Sequence, residues 1–135
     1  MLKRYQLFIK KPTFAPHKKN IKMKTIFITG ATSGIGKATA ETFAKQGHRL
    51  IICGRRKEVL EQLQIELSNL TEVYSLVFDV RNQEEVENAI HSLPEEWKNI
   101  DVLVNNAGNA HGLESISEGN IADWDAMMDG NVKGL

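Results

Sequence analysis

The sequence has few cysteines and no long apolar run, the features typical of secreted and of membrane-spanning proteins respectively. Its 135 residues include one cysteine, Cys53, so no disulfide forms within the chain, and we expect a reducing, cytoplasmic location. No apolar run reaches 18 residues, so the sequence has no segment typical of a transmembrane helix and we expect no membrane partner. The four histidines lack metal-ligand spacing, and we expect no metal site. The length allows one domain at most.

Acidic residues are absent from the first part of the chain. Residues 1–22 carry seven Lys and Arg, whereas residues 23–135 carry the other ten and all seventeen Asp and Glu, a net charge of −7. An acidic body gives no support for nucleic-acid binding. We interpret residues 1–22 as a basic, disordered extension, or as the product of a start upstream of Met23. A targeting or nucleic-acid-binding arm is the alternative, although the apolar run at residues 7–9 is too short for a signal peptide.

Deleting residues 1–22 is therefore expected to change neither the folding of the rest of the chain nor its ligand affinity. The reason is that no apolar pattern connects this segment to the predicted sheet. Thermal melts of the chain with and without the segment test this. A loss of more than about 1 kcal/mol on deletion would mean that the extension packs on the domain.

Strand and helix patterns alternate from residue 23 onward. Apolar runs predict strands at residues 25–29, 49–53, 73–78 and 102–104, with a helix after each of the first three. Asn82 and Glu85 form a capping pair that predicts the start of the third helix, and Pro94 ends it. A Gly-, Asn- and Ser-rich loop at residues 108–120 leads to a last helix from about Ile121. The apolar face of the first helix is predicted from helical spacing to be Ile35, Ala38, Thr39, Thr42 and Phe43.

This alternation predicts an α/β fold. Consecutive βα units with right-handed crossovers give a Rossmann-type, doubly wound parallel sheet with helices on both faces, here truncated after about four strands. We expect the strand order 3-2-1-4, which places the topological switch point between strands one and four. A ligand is expected at the carboxyl ends of those two strands.

A glycine-rich turn joins the first strand to the first helix. It comprises Gly30, Ala31, Thr32, Ser33, Gly34, Ile35 and Gly36. In this context Gly30 allows a sharp turn, Gly34 lets the backbone approach a pyrophosphate, and Gly36 lets the helix pack closely on the sheet. The N–H groups of the helix N-terminus then attract phosphate. The turn predicts a nucleotide-binding site, with an ordinary glycine-rich turn as the alternative.

The end of the second strand indicates which dinucleotide binds. An NAD site usually has a carboxylate there for the ribose 2′-hydroxyl, but this chain has Cys53-Gly54-Arg55-Arg56 and no carboxylate before Glu58. The guanidinium groups of Arg55 and Arg56 can donate charge-assisted hydrogen bonds to a 2′-phosphate. We therefore predict NADP rather than NAD.

The spacing T-G-x-x-x-G-x-G from Thr29 to Gly36 resembles that of the short-chain dehydrogenase/reductase family. Two further matches follow later strands: Asp79-Val80, and the run Asn105, Asn106, Ala107 and Gly108. The resemblance extends over residues 23–135. It implies that the Asp79 carboxylate accepts a hydrogen bond from the adenine amino group, with Val80 beside the ring; a loop-capping Asp is the alternative. It also implies that Asn105 and Asn106 line the adenosine ribose and brace the sheet, without dividing these two roles between them.

In that family a Tyr-x-x-x-Lys pair and a Ser supply the proton and polarise the substrate. Tyr5 and Tyr74 are followed at the fourth position by Ile9 and Phe78, so neither forms this pair. Asn131 matches the family's N-x-x-G motif, whose asparagine holds a water in the proton relay; a polar residue near a helix end is the alternative. We interpret the chain as the N-terminal part of an enzyme, inactive alone.

Several segments together resemble a bacterial subgroup of NADP-dependent 3-hydroxy acid dehydrogenases. These segments are residues 53–56, 78–82, 93–101 and 105–110. The resemblance implies a small hydroxy acid or carbonyl substrate, with serine or allo-threonine oxidised and malonic semialdehyde reduced, and a homo-oligomeric parent enzyme. A reductase of 3-oxoacyl or ketone substrates and a non-catalytic nucleotide-binding module remain alternatives. A reading frame that continues beyond codon 135 into Tyr-x-x-x-Lys would favour an enzyme.

Overall fold

A computed structural model describes residues 22–112 and 114–135, so the prediction for residues 1–22 lies outside the described residues except at Lys22. The strands described are β1 (Thr25–Ile28), β2 (Arg49–Gly54), β3 (Val73–Val77) and β4 (Val102–Val104). They form one parallel sheet in the order β3-β2-β1-β4, which confirms the predicted order. The carboxyl ends of β1 and β4 are therefore adjacent.

Helices connect the strands as predicted. They are α1 (Gly34–Lys45), α2 (Lys57–Ser68) and α3 (Gln83–His91), with α4 (Ile121–Met128) after β4. A short 3-10 turn, Glu95–Trp97, precedes β4, and a π-helical turn, Asp129–Lys133, continues α4. Among the described residues, no helix has both the length and the apolarity that crossing a bilayer requires.

The predicted capping pair opens α3. The Oδ1 atom of Asn82 accepts a hydrogen bond from the backbone N–H of Glu85 at 3.3 Å. The Nδ2 atom of Asn82 donates to the Glu85 carboxylate at 2.8 Å. These two bonds satisfy one of the free N–H groups of the first turn and fix the direction in which the chain leaves β3.

Two hydrophobic clusters cover the two faces of the sheet. On one face, side chains of β1 and β2 such as Ile28 and Ile52 pack with Leu60 and Leu63 of α2 and with alanines of α1. On the other face, Phe27, Ile51 and Cys53 pack with residues that include Leu93 and Trp97. Successive strand residues point to opposite faces, so β1 and β2, buried on both, consist almost entirely of apolar residues. This arrangement is the doubly wound sheet that the sequence predicts.

The predicted buried face of α1 is wrong, although the helix itself is confirmed. Its buried residues are Gly36, Ala40 and Ala44, and of the predicted set only Phe43 packs against the core. Ile35 is 79% exposed and lines the cleft described below. The buried residues are small and lie four positions apart, so the helix axis can approach the sheet closely. The prediction failed because an analysis of helical periodicity gives most weight to large apolar side chains.

Candidate functional site

An open cleft of about 690 Å³ lies at the carboxyl ends of the strands. Most residues predicted for the site line it: Gly30, Thr32, Ser33, Ile35, Arg55, Arg56, Asp79, Val80, Asn106, Ala107 and Gly108. Five predicted residues do not line it: Ala31, Gly34, Gly36, Asn105 and Asn131. Lining residues that the sequence did not single out include Phe78, Arg81, Asn109 and Gly130. The cleft occupies the predicted switch point between β1 and β4.

The glycines of the turn meet two different structural requirements. Gly30 has φ +65°, and a Cβ there would lie 2.8 Å from the Cα of Ala107. A Cβ at Gly36 would overlap the carbonyl oxygen of Gly30 and the Nδ2 atom of Asn106. Gly34 has φ +55° with open space around it. Gly30 and Gly36 therefore allow close packing against the loop after β4, and Gly34 allows the left-handed backbone at the start of α1.

The start of α1 retains its capacity to bind an anion. Ser33 is the N-cap residue, and within the described part of the chain its side chain makes no capping hydrogen bond. The N–H groups of the first helical turn thus keep their partial positive charge next to the cleft. This is the arrangement by which helix N-termini bind phosphate groups.

Asn106 braces the turn from the opposite side. The backbone N–H groups of Asn106 and Ala107 both donate to Thr29 Oγ1 at 2.9 Å. The Asn106 side-chain amide donates to the carbonyl oxygens of Thr29 at 2.9 Å and of Gly30 at 3.1 Å. Asn106 therefore has the bracing role, while Asn105 is exposed and lies outside the cleft lining.

The end of β2 lies against the glycine-rich turn at Thr32. A Cβ at Gly54 would lie 2.7 Å from the Cγ2 atom of Thr32. A larger side chain at this position would force the Thr32 side chain to shift. The Nη2 atom of Arg56 donates to Thr32 Oγ1 at 2.9 Å, so Arg56 connects the end of β2 to that turn. Arg55 is also exposed, and its Nη1 atom lies 3.5 Å from Oδ2 of Asp79.

Arg81 holds the carboxylate of Asp79. Its Nε atom lies 3.0 Å from Oδ1 and 3.1 Å from Oδ2, and its backbone N–H donates to Oδ1 at 3.0 Å. The Arg81 side-chain hydrogen bond is the main reason that the pKa of Asp79 falls to about 2, with Arg55 contributing. Asp79 is therefore ionised at neutral pH. The hydrogen bond that it accepts from the backbone N–H of Arg81 is the loop-capping contact that the sequence analysis gives as the alternative to adenine binding.

Asn131 does not line the cleft itself but makes reciprocal hydrogen bonds with Asn109, which does. The Asn131 Oδ1 atom accepts from the Asn109 backbone N–H at 2.8 Å, and Nδ2 donates to the Asn109 carbonyl at 2.7 Å. A Cβ at Gly108 would lie 2.9 Å from this Oδ1 atom. Asn131 thus fixes the loop after β4 to the end of α4, and its part in a proton relay stays a prediction.

Cys53 closes the floor of the cleft. It is buried, and desolvation raises the pKa of its thiol to about 12, which keeps it protonated at neutral pH. Cys53 is therefore a core residue rather than a nucleophile. In residues 22–112 and 114–135, no cluster of three or more His, Cys, Asp or Glu is placed to hold a metal ion.

A parallel α/β sheet with a glycine-rich turn and a helix N-terminus at its switch point defines a dinucleotide-binding domain of the Rossmann type. The pattern of the short chain dehydrogenase family matches residues 24–135, and the chain belongs to that family. The predicted family resemblance is confirmed.

Curated relatives share nearly half of the aligned residues. The chain is 46% identical over 110 residues to the NADP-dependent 3-hydroxy acid dehydrogenase YdfG of Escherichia coli O6:H1, covering 82% of this chain and 44% of the relative. It is 44% identical over 111 residues to the serine 3-dehydrogenase of Rhizobium radiobacter, with the same coverage of both chains. The chain thus spans less than half the length of the curated relatives it matches.

A solved structure agrees with the sequence matches. The closed form of a serine dehydrogenase complexed with NADP+ superposes with a TM-score of 0.75 and 44% identity, covering 82% of this chain and 44% of that one. The predicted subgroup resemblance therefore holds for both sequence and fold.

Proposed function

We propose that this chain is the NADP-binding part of an oxidoreductase that interconverts a hydroxyl and a carbonyl group on a small 3-hydroxy acid such as serine or allo-threonine. The observation that carries the proposal is the end of β2, where Arg55 and Arg56 line the cleft and a Cβ at Gly54 would lie 2.7 Å from the Cγ2 atom of Thr32. The names of the relatives, which include an NADP-dependent 3-hydroxy acid dehydrogenase and a serine 3-dehydrogenase, support both the cofactor and the substrate class.

The donors around the cleft fit the adenosine half of NADP. The N–H groups at the start of α1 suit the pyrophosphate, and Arg55 and Arg56 suit the 2′-phosphate. The Asp79 carboxylate accepts from the adenine amino group, with Val80 beside the ring. When bound, the nicotinamide of NADP supplies or accepts the hydride. The residues of this chain hold and orient the cofactor, and Asn106 keeps the turn in place for it.

Proton transfer needs a group that this chain does not contribute. Reduction of a carbonyl requires a donor for the developing alkoxide, which in this family is a Tyr paired with a Lys. Neither tyrosine of this sequence has a lysine at the fourth position after it. Asn131 is the one predicted relay residue, so the catalytic constellation of this chain is incomplete.

The 135-residue chain is expected to show no dehydrogenase activity and poor solubility. General acid–base catalysis contributes about 10²- to 10⁴-fold to such reactions, and its donor is missing. Within the described residues β4 pairs with β1 alone, and Leu103 on it is 56% exposed, so its open edge favours aggregation. NADPH oxidation with malonic semialdehyde and size-exclusion chromatography test both points. A soluble monomer with measurable turnover would contradict them.

Two alternatives differ from this proposal in ways that can be measured. A reductase of another carbonyl, such as a 3-oxoacyl compound or a ketone, would share every motif present; a relative 46% identical is the sulfoacetaldehyde reductase 2 of Chromohalobacter salexigens. A non-catalytic nucleotide-binding module would bind NADP without turnover. Sequencing the DNA downstream of codon 135 for Tyr-x-x-x-Lys separates the module from the enzymes. A substrate panel on the longer protein then separates the enzymes.

A cytoplasmic location and a homo-oligomeric parent enzyme complete the proposal. A single cysteine, which cannot form a disulfide within the chain, suits a reducing compartment. Sedimentation of the longer protein would test the oligomer.

A further inference from the structure

Arg81 lines the same cleft as Arg55 and Arg56, directly before the N-cap of α3. Its guanidinium group holds both carboxylate oxygens of Asp79, with Nη2 at 2.6 Å from Oδ2 and Nε within 3.1 Å of either oxygen. Such fork-shaped, charge-assisted contacts fix the orientation of a carboxylate. Arg81 thus determines how the negative charge of Asp79 is presented to the cleft.

That negative charge conflicts with binding of a 2′-phosphate. The same Oδ2 atom of Asp79 lies 3.5 Å from Nη1 of Arg55. A carboxylate this close offsets the charge of the arginine that the phosphate needs, and it repels the phosphate itself. Without a second cation at Asp79, Arg55 would be largely neutralised by its neighbour.

Arg81 supplies that second cation. Asp79 with Arg55 alone has no net charge, whereas Asp79 with Arg55 and Arg81 has one net positive charge. Two further carboxylates lie nearby, and neither lines the cleft. Asp129 after α4 acts on Arg81, but Lys133 binds it with Nζ 2.6 Å from Oδ1. Glu85 accepts from the backbone N–H of Asp79 at 2.9 Å and from the Asn82 side chain at 2.8 Å. The wall of the cleft therefore keeps a positive charge for an anionic ligand.

Folding stability alone does not account for this pair. The Arg81 side chain is 38% exposed and the Asp79 side chain is 21% exposed. Ion pairs with this degree of solvent contact contribute little to stability. Their position beside Arg55 on the cleft wall points to ligand binding instead.

We propose that Arg81 is a specificity-determining residue for NADP that acts by position: it binds the Asp79 carboxylate and so leaves Arg55 free to pair with the 2′-phosphate. This inference rests on the proposed function, because it assumes that the cleft binds NADP. Arg81 itself does not contact the phosphate in this scheme.

Binding of two adenosine probes to the full 135-residue chain, held in solution by fusion to a soluble carrier protein, tests the inference. The probes are 2′-phospho-ADP-ribose and ADP-ribose, which differ only in the 2′-phosphate. Removing one unit charge near that phosphate by Arg81→Gln is expected to weaken binding of the phosphorylated probe about fivefold and leave ADP-ribose nearly unchanged. Arg81→Lys keeps the charge and is expected to retain the preference to within about twofold. Lys57→Gln, a neighbouring cation outside the cleft lining, is the matched control.

A double-mutant cycle with Asp79→Asn distinguishes an effect of Arg81 through Asp79 from direct contact between Arg81 and the 2′-phosphate. Once the carboxylate is gone, Arg81→Gln should no longer change the ratio of the two affinities. An NMR titration provides a second measurement, because the pKa of Asp79 should rise toward its ordinary value in Arg81→Gln. An equal loss with and without Asp79 would mean that Arg81 binds the phosphate itself and would overturn the inference. An equal loss for both probes, or no rescue by Arg81→Lys, would also overturn it.

Failure of this inference is distinguishable from failure of the proposed function. If the unsubstituted chain does not prefer 2′-phospho-ADP-ribose, the proposal of NADP binding is wrong. If it has that preference and Arg81→Gln leaves the preference intact, only the role of Arg81 is wrong.

Discussion

Replacing Gly36 by alanine is expected to destabilise the domain by about 3 kcal/mol and to abolish nucleotide binding. The added Cβ would overlap the carbonyl oxygen of Gly30 and the Nδ2 atom of Asn106. The turn and the loop after β4 must then separate, which breaks the hydrogen bonds from Asn106 Nδ2 to Thr29 and Gly30. Because these contacts also hold the start of α1 at the cleft, stability and binding are lost together. Urea melts and a titration with NADPH measure the two effects.

Gly47→Ala is the matched control for this substitution. Gly47 follows α1 and has φ +78°, and a Cβ at this position would have no atom of the described residues within 4 Å, so alanine there introduces backbone strain alone. We expect a loss of about 1 kcal/mol with NADPH affinity unchanged. If Gly36→Ala were no worse than Gly47→Ala in both measurements, the packing of the turn described above would be wrong.

Removing Arg55 or Arg56 is expected to weaken NADPH binding by about 1.5–3 kcal/mol, a factor of roughly 10 to 150, and to leave NADH nearly unaffected. Each arginine is assigned one charge-assisted contact with the 2′-phosphate, a group that NADH lacks. Arg56 also donates to Thr32, so Arg56→Ala should disturb the turn slightly more than Arg55→Ala does. Titrating both cofactors against each variant in the longer protein that completes the domain measures the selectivity directly.

Lys57→Ala is the control for these arginines, because it removes the next cation along the chain. Lys57 is exposed, its Nζ atom lies 3.9 Å from Glu61, and it is not among the residues lining the cleft. Its loss should lower the affinity for both cofactors only slightly. Equal losses for NADPH and NADH in the arginine variants would rule out the assignment to the 2′-phosphate.

The sequence predicts the sheet well because the signals for it are local. Each of β1 to β4 is an apolar run next to a turn or cap residue, and the parallel order follows from the alternation of strands and helices. The packing face of α1 was not predicted, because periodicity gives little weight to small residues such as Ala40 and Ala44. Their burial depends on how closely the helix approaches the sheet.

The cleft residues that belong to a sequence motif were predicted. Those that reach the cleft only through tertiary contacts were missed. Gly30, Arg55 and Asp79 each stand at a strand end and could be found from spacing. Arg81 could have been found as a cation two residues beyond Asp79, but its bond to that carboxylate needs the geometry of the turn. Asn109 gave no signal, because its pairing with Asn131 connects positions 22 residues apart.

Binding of NADP in the cleft is measured most directly by the relative affinity of the unsubstituted chain, held in solution by fusion to a soluble carrier protein, for 2′-phospho-ADP-ribose and ADP-ribose. Both probes lack nicotinamide, so they report on the adenosine half of the site, which is the half that the described cleft provides. We predict that 2′-phospho-ADP-ribose binds about tenfold more tightly or better, since one charge-assisted contact to the phosphate gives at least that factor. Equal affinity for the two probes, or tighter binding of ADP-ribose, would mean that Arg55 and Arg56 do not bind a 2′-phosphate and that the cleft is not an NADP site.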